Sequence, residues 1–171
     1  MIDDTIIIFL SKRHGFLNFL GLIEYMKRSN LKYQDKRLIG SLGLATFDSI
    51  IIDLTMLNKY DNNLVFHVFL HETAHMKRIK KLGPDNILKL LSDTNFEAYC
   101  NHIFTEEIIA DRFSSLLFLK LNKFIIKNSY SQNLHLKDNQ TKYLGVITQN
   151  FNVIKNDINK YNNLVESYII K

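Results

Sequence analysis

The stretch from Leu64 to Leu82 reads LVFHVFLHETAHMKRIKKL and contains two histidines four residues apart, His71 and His75. Residues four apart lie above one another on the same face of an α-helix, so both imidazole rings can reach a common point. Glu72 lies one residue further round the same helix. The spacing therefore predicts a helix that presents two histidine nitrogens and, beside them, a carboxylate.

The residues around this stretch predict where the helix begins and ends. Asp61 precedes the apolar positions and can cap the first turn, because an aspartate side chain accepts hydrogen bonds from the free N–H groups there. Gly83 followed by Pro84 is typical of a helix end. The buried face is expected to consist of Leu64, Val65, Val68, Phe69 and Ala74. Four cations near the end are expected to be solvated and to complement the helix dipole: Lys77, Arg78, Lys80 and Lys81.

His-Glu-x-x-His on a helix is the arrangement with which zinc hydrolases bind their metal. In that arrangement the histidines, here His71 and His75, bind zinc, and the glutamate, here Glu72, is the general base. The chain has a single cysteine, Cys100, so there is no cysteine cluster, and further ligands must be histidine or carboxylate. A catalytic zinc usually has three protein ligands, so a third one is needed.

The segment TEEIIADRFSSLL, from Thr105 to Leu117, holds the best candidates for the third ligand. Glu107 and Asp111 are four residues apart and share a helix face. Glu107 can bind the metal while Asp111 accepts the ring N–H of one of the histidines, a partner that metal-binding histidines nearly always have. Ala110 is small enough to let this second helix approach the first one closely.

Other ligands remain open on the sequence alone. Glu106 would be the ligand if the helix were rotated by one residue, although only Glu107 pairs with Asp111 at a spacing of four. His102 would instead give a site with three histidines. Glu97 is better explained by a capping box at a helix start.

Three further side chains have weaker assignments. His67 lies one turn before His71 and is expected to be buried or to support a ligand, not to bind the metal itself. Tyr99 and His102 are the nearest candidates in sequence for stabilising an oxyanion, but nothing in the sequence fixes their geometry.

The motif HETAH at 71–75 and, 32 residues after His75 (107 − 75), the motif EIIADRF at 107–113 together resemble the gluzincin metallopeptidases. The order of an acidic ligand, alanine, aspartate and phenylalanine is most similar to the ImmA/IrrE-type metallopeptidases that are common in phages and mobile elements. The resemblance covers residues 43–118.

The resemblance implies a zinc-dependent endopeptidase that hydrolyses peptide bonds of a protein substrate with metal-activated water. It implies Zn²⁺ bound by His71, His75 and Glu107, with Glu72 as the general base and Asp111 supporting a histidine ligand. It also implies a small sheet whose edge strand, expected at 49–54, binds the substrate backbone. The alternative is a catalytically silent zincin-fold protein with a binding or structural role that retains the metal site.

The rest of the chain predicts an α+β fold. Thr5 to Leu10 fits a short strand or a helix, and Lys12 to Arg28 has helical spacing. Two or three short strands are expected at 31–57, the last of them from Ser49 to Leu54. Helices are expected at 86–91 and, from a capping box at Thr94 onwards, to Leu121, either whole or broken near 104–105; another is expected near the C-terminus. With the resemblance, which implies a zincin-like fold, these patterns predict one domain over 1–171. It has a small twisted sheet packed on the His-Glu-x-x-His helix and the glutamate helix, with a core at 31–121 and a helical extension at 122–171.

Composition limits the partners that the chain is expected to have. The net charge is +5 and the pI is about 9.2, but the lysines are scattered, with no basic stripe interleaved with aromatic residues, so no specific nucleic-acid binding is expected. A lone cysteine fits a reducing compartment. No signal peptide or membrane span is evident, so a cytoplasmic location is expected. A protein or peptide substrate is the expected partner, and the oligomeric state stays open.

Overall fold

The computed structural model describes residues 1–15, 17–91 and 95–122. Over these residues the protein is α+β, with six helices and a small mixed sheet of three strands. The helical extension expected at 122–171, including the helix expected near the C-terminus, lies outside the described residues except for Asn122.

Two helices form the N-terminal part: α1 (Asp4–Ser11) and α2 (Phe19–Ser29). The ambiguous first segment is therefore helical. The expectation of a helix from Lys12 is wrong, because α2 begins only after Asn18, whose side chain accepts a hydrogen bond from the Gly21 N–H at 2.8 Å and caps the first turn. Asn30 ends α2 in the left-handed conformation, with φ 53°.

The sheet contains β1 (Tyr33–Asp35), β2 (Gly43–Ala45) and β3 (Ile50–Ile52), in the order β1-β3-β2. β3 is parallel to β1 and antiparallel to β2. The expectation that Ser49 to Leu54 forms an edge strand is wrong, because β3 is paired on both sides. It also ends earlier, since Asp53 caps the short helix α3 (Leu54–Leu57). β2 is the edge strand that lies against the long helix described next.

The long helix α4 (Asn62–Leu82) confirms the helix predicted at this point. The Asp61 side chain accepts a hydrogen bond from the Leu64 N–H at 2.9 Å, as expected of an N-cap. Gly83 ends the helix with φ 81°, and α5 (Pro84–Leu91) follows at once. Because Gly83 has a positive φ that favours glycine, the chain can turn sharply between the two helices.

α6 (Phe96–Leu121) is one unbroken helix. Its cap is Asn95, whose side chain accepts hydrogen bonds from the N–H groups of Glu97 and Ala98, so the cap lies one residue after the expected Thr94, which is outside the described residues. α4 packs along α6 on one side and against β2 and β3 on another. This packing places the two motif-bearing helices side by side.

The core lies between α1, α2, the sheet, α4 and the end of α6. Phe66 of α4 is completely buried there, and its ring meets Phe19 and Phe118 edge-on, each with a centroid distance of 5.3 Å. Such aromatic pairs stabilise a fold beyond the area that they bury. Among the described residues, no helix combines the length and the apolar character needed to cross a membrane.

Candidate metal centre

Three side chains from α4 and α6 meet at one point. The Nε2 atoms of His71 and His75 are 2.9 Å apart. The carboxylate of Glu107 faces both, with Oε2 3.2 Å from His71 Nε2 and Oε1 3.3 Å from His75 Nε2. Ala110, one turn after Glu107, is buried, and its small side chain permits the close approach of the two helices. The structure thus brings together the three residues that the sequence proposed as ligands.

Asp111 lies on the other side of the His71 ring. Its Oδ1 is 2.9 Å from His71 Nδ1. A carboxylate oxygen accepts a hydrogen bond, so the ring proton of His71 is assigned to Nδ1. When the ring is neutral, as it must be in a metal ligand, that assignment leaves the lone pair on His71 Nε2, which faces His75 and Glu107. Asp111 therefore fixes the tautomer that a metal ligand needs.

Among the described residues, two overlapping groups of side chains could hold a metal ion, because the donor atoms of each group lie within 4.8 Å of one another. The first group is His71, His75 and Glu107. The second group is His67, His71 and Asp111, which uses the opposite nitrogen of His71. The two groups differ in access, because all residues of the first are half-buried, whereas His67 and Asp111 are buried.

The first group borders an open pocket of about 300 Å³. The pocket is lined by Ser41 and the edge strand β2, and by Glu72 and the three clustered side chains. Its remaining lining residues come from α4, α5 and α6 and are Arg78, Ile79, Ile87, His102, Ile103 and Glu106. A molecule in the pocket would therefore be near both the edge of the sheet and the cluster.

β2 and Glu72 are in direct contact. A Cβ atom added to Gly43 would lie 2.6 Å from Glu72 Cγ, closer than real Cβ contacts. The Thr46 N–H donates to the Ser49 oxygen, and the Asp53 N–H donates to the Leu42 oxygen. The residues just before and just after β2, Leu42 and Thr46, are therefore hydrogen-bonded on the side of β3, and the residues between them alternate in direction. In an antiparallel ladder this alternation turns the backbone groups of Gly43 and Ala45 away from β3, towards the pocket side.

The outward backbone groups of β2 contact side chains, not another strand, among the described residues. The Ser41 hydroxyl hydrogen-bonds to the backbone of Gly43, and the Ala45 backbone hydrogen-bonds to Glu72. An edge covered only by side chains can exchange these contacts for those of an extended peptide.

Burial and charge shift the pKa values of the clustered groups. Burial raises the pKa of the Glu72 carboxyl, and the two nearby histidines oppose that rise. Burial disfavours the charged form of His71, but hydrogen bonds to Asp111 and Glu107 outweigh this effect and raise the pKa of His71 to about 10. Burial alone would raise the pKa of Glu107 and of Asp111, yet hydrogen bonds from histidines hold both pKa values well below their usual range. The two ionised carboxylates therefore favour a positive charge at this point, which is either the second proton of His71 or a bound cation that displaces it.

The other candidate ligands lie outside both donor groups. Glu106 points to Arg78, whose Nε is 3.1 and 3.0 Å from the two carboxylate oxygens. His102 lines the pocket without joining the cluster, and Glu97 is exposed at the start of α6. Tyr99 is buried in a separate apolar cluster and is not among the pocket residues.

Sequence reasoning missed the part that Arg78 plays. It was expected to be a solvated cation, but it forms an ion pair with Glu106 at the wall of the pocket. Lys77 is also engaged, with Nζ 2.6 Å from the Tyr25 hydroxyl. A signal did exist for Arg78, because it lies three residues after His75 and so shares its helix face.

Comparisons of the chain with family models, with curated proteins and with solved structures found no match.

Proposed function

We propose that this protein is a zinc-dependent endopeptidase that hydrolyses peptide bonds of a protein substrate. The observation that carries the proposal is the meeting of His71, His75 and Glu107 beside Glu72 at an open pocket. Two imidazoles and one carboxylate form a known donor set of catalytic zinc sites, in which a further position stays open for water or substrate. The similarity of the two motifs to ImmA/IrrE-type gluzincins supports the same function.

The geometry of the three donors fits zinc. With zinc–ligand distances of roughly 2.0–2.2 Å and tetrahedral angles, donor atoms lie roughly 3.3–3.5 Å apart. The two Nε2 atoms are 2.9 Å apart, and they lie 3.2 Å (His71) and 3.3 Å (His75) from the two different carboxylate oxygens of Glu107. Small side-chain shifts therefore suffice, and the Nδ1–H of His71 is already directed to Asp111. When bound, zinc supplies Lewis acidity that lowers the pKa of water and polarises a carbonyl group.

The chain's own residues supply the rest of the proposed mechanism. Glu72 accepts the proton of the attacking water and passes it to the leaving amine. Its raised pKa suits a group that must hold that proton between the two steps. The substrate backbone lies along β2, where Gly43 and Ala45 present outward N–H and C=O groups. This strand takes the role that the resemblance implies for 49–54.

Metal content tests the site first. We expect one zinc per chain in the purified wild-type protein by elemental analysis. Glu107→Ala should lose the zinc because it removes a ligand, whereas Glu106→Ala, the matched control one residue away, should keep it because Glu106 pairs with Arg78. Zinc retained in Glu107→Ala, or lost only in Glu106→Ala, would contradict the assigned ligand set.

Peptide hydrolysis by the wild type and by Glu72→Gln tests the chemistry. Glu72→Gln keeps the shape of the side chain but removes the base, so cleavage of a diverse peptide mixture should fall by roughly 10²–10⁴-fold while zinc stays bound. Equal cleavage by wild type and Glu72→Gln would exclude the mechanism. Zinc binding without any cleavage by the wild type would favour the alternative, a zincin-fold binding or structural protein.

A further inference from the structure

A line of buried polar side chains extends from His71 into the protein. Asp111 Oδ1 is 2.9 Å from His71 Nδ1 and 3.4 Å from His67 Nε2. The other nitrogen of the His67 ring, Nδ1, is 3.3 Å from Ser114 Oγ. The Ser114 hydroxyl is also 2.9 Å from the backbone oxygen of Asp111. The line therefore joins α4 and α6 through His71, Asp111, His67 and Ser114.

His67 is costly to bury in its position. It is 6% exposed and stands within the apolar run VFHVFL, where Phe66 and Val68 belong to the hydrophobic core. A polar ring removed from water destabilises a protein unless hydrogen bonds replace its contacts with water. Asp111, also 6% exposed, and Ser114, fully buried, provide those contacts. The placement of His67 is thus tied to Asp111.

We propose that His67 is a positioning residue for the metal centre: through Asp111 it holds the His71 ring in the orientation that binds the metal. One carboxylate oxygen faces both imidazoles, so the N–H of His67 restrains the same oxygen that receives the His71 proton. His67 is not a ligand in this assignment. The inference rests on the proposed metal site, but it does not depend on peptidase activity.

A second metal ion bound by His67, His71 and Asp111 is the competing assignment. It would need the lone pair of His71 Nδ1, whereas the contact with Asp111 assigns the ring proton to that nitrogen. It would also lie in an enclosed place, since His67 and Asp111 are buried and Ser114 is adjacent. The first donor group, in contrast, opens to the pocket. The geometry therefore favours one ion, supported from behind by His67.

Three substitutions of His67 separate positioning from packing. His67→Gln places an amide N–H close to where Nε2 lies, so it should keep the contact with Asp111. His67→Asn reaches only as far as Nδ1, and His67→Leu has no donor. The dissociation constant for zinc, measured by competition with a chromophoric chelator, should rise roughly 10–100-fold in His67→Asn and His67→Leu. In His67→Gln it should stay within about threefold of the wild-type value.

Controls distinguish a weakened fold from a weakened site. Val68→Ala changes a neighbouring buried residue of α4 and should lower the thermal midpoint without changing the zinc dissociation constant. Ser114→Ala removes the far end of the line with little change in shape, and it should weaken zinc binding by less than His67→Leu does. If His67→Leu does not fold, the comparison of His67→Gln with His67→Asn still tests the positioning role.

The results that test the positioning role of His67 can be distinguished from the results that test the peptidase proposal. Equal zinc affinity in all folded variants would overturn the positioning role. Two zinc ions per wild-type chain, one of them lost in His67→Leu, would also overturn it and make His67 a ligand. A wild type without zinc affinity would overturn both proposals. The expected pattern of affinities without peptide cleavage would remove the peptidase function and leave the positioning role intact.

Discussion

Gly43 is placed where only a hydrogen atom fits. Its φ is not in the left-handed range, so conformational freedom does not explain the glycine. The reason is proximity, because an added Cβ would lie 2.6 Å from Glu72 Cγ and 3.1 Å from Glu72 Cδ. The edge strand thus presses against the side chain that we propose as the general base. A methyl group at this position must push that carboxylate away.

Gly43→Ala should therefore impair the chemistry and spare the metal. A displacement of about 1 Å can lower a rate by roughly 10²-fold, and we expect a fall in kcat of that order for peptide cleavage. Zinc content should stay at the wild-type level, since the three ligands are on α4 and α6. Ala45→Gly serves as the control on the same strand and should have little effect. Full activity of Gly43→Ala would show that Glu72 is not held by β2.

Local spacing predicts which side chains share one face of a helix. Contacts between residues far apart in the sequence could not be predicted in this way. The position of His71 and His75 on one helix face follows from helix periodicity alone, because four residues span about one turn. The choice of Glu107 over Glu106 depended on the spacing to Asp111, which is again local. The contact of Glu106 with Arg78 depends on how α6 is rotated against α4. No periodicity within one helix reports that rotation.

At the scale of the elements, a buried hydrogen bond joins the sheet to the metal-site helix. The Tyr33 hydroxyl of β1 is 2.8 Å from Thr73 Oγ1 of α4, two residues after His71. Thr73 in turn donates to the backbone oxygen of Phe69. Burial raises the pKa of Tyr33 to about 12, and its hydrogen bonds oppose the rise only in part. The neutral hydroxyl is therefore the form that the fold requires.

Tyr33 should make the free energy of unfolding fall at alkaline pH. A tyrosine in an unfolded chain ionises near pH 10, whereas folded Tyr33 ionises near pH 12. Its contribution is complete below pH 10 and is lost as the pH rises towards 12, by about 3 kcal/mol. Tyr33→Phe should cost about 1 kcal/mol at pH 7 and should show a shallower decline above pH 10 in urea titrations. Parallel declines in both proteins would refute the assignment.

The order of the strands could not be predicted from the sequence. Ile50, Ile51 and Ile52 are all buried, and a continuous apolar run is typical of a strand covered on both faces. That run predicted a strand, and the structure contains one. Its central position depends on pairing with residues 33–35 and 43–45, which lie at different distances along the chain. The sequence Gly43-Leu44-Ala45 carries no comparable strand signal, so the edge could not be assigned correctly.

At the scale of the whole molecule, the candidate metal centre joins α4, which packs on the sheet, to α6, which ends against the N-terminal part. The Asn18 N–H donates to the Asn122 side chain at 2.6 Å, so the end of α6 contacts the start of α2. Phe66 and Phe118 form another contact between α4 and α6, and Arg78 and Glu106 a third. The α+β class was predictable from the alternation of helical and strand patterns, whereas these contacts between distant residues were not.

Because α4 and α6 have these other contacts, the metal should stabilise the fold without being required for it. A ligand at 100 times its dissociation constant stabilises the native state by about 2.7 kcal/mol if it does not bind the unfolded chain. For a chain of 171 residues this corresponds to a rise in Tm of roughly 5–10 °C. We expect chelator-treated protein to unfold cooperatively and to gain this Tm when zinc is returned, by differential scanning fluorimetry. Glu107→Ala should show no gain, whereas Glu106→Ala should respond like the wild type. An equal gain in Glu107→Ala would mean that zinc stabilises the protein from another site, and a chelated wild type without a cooperative transition would mean that the metal is required for folding.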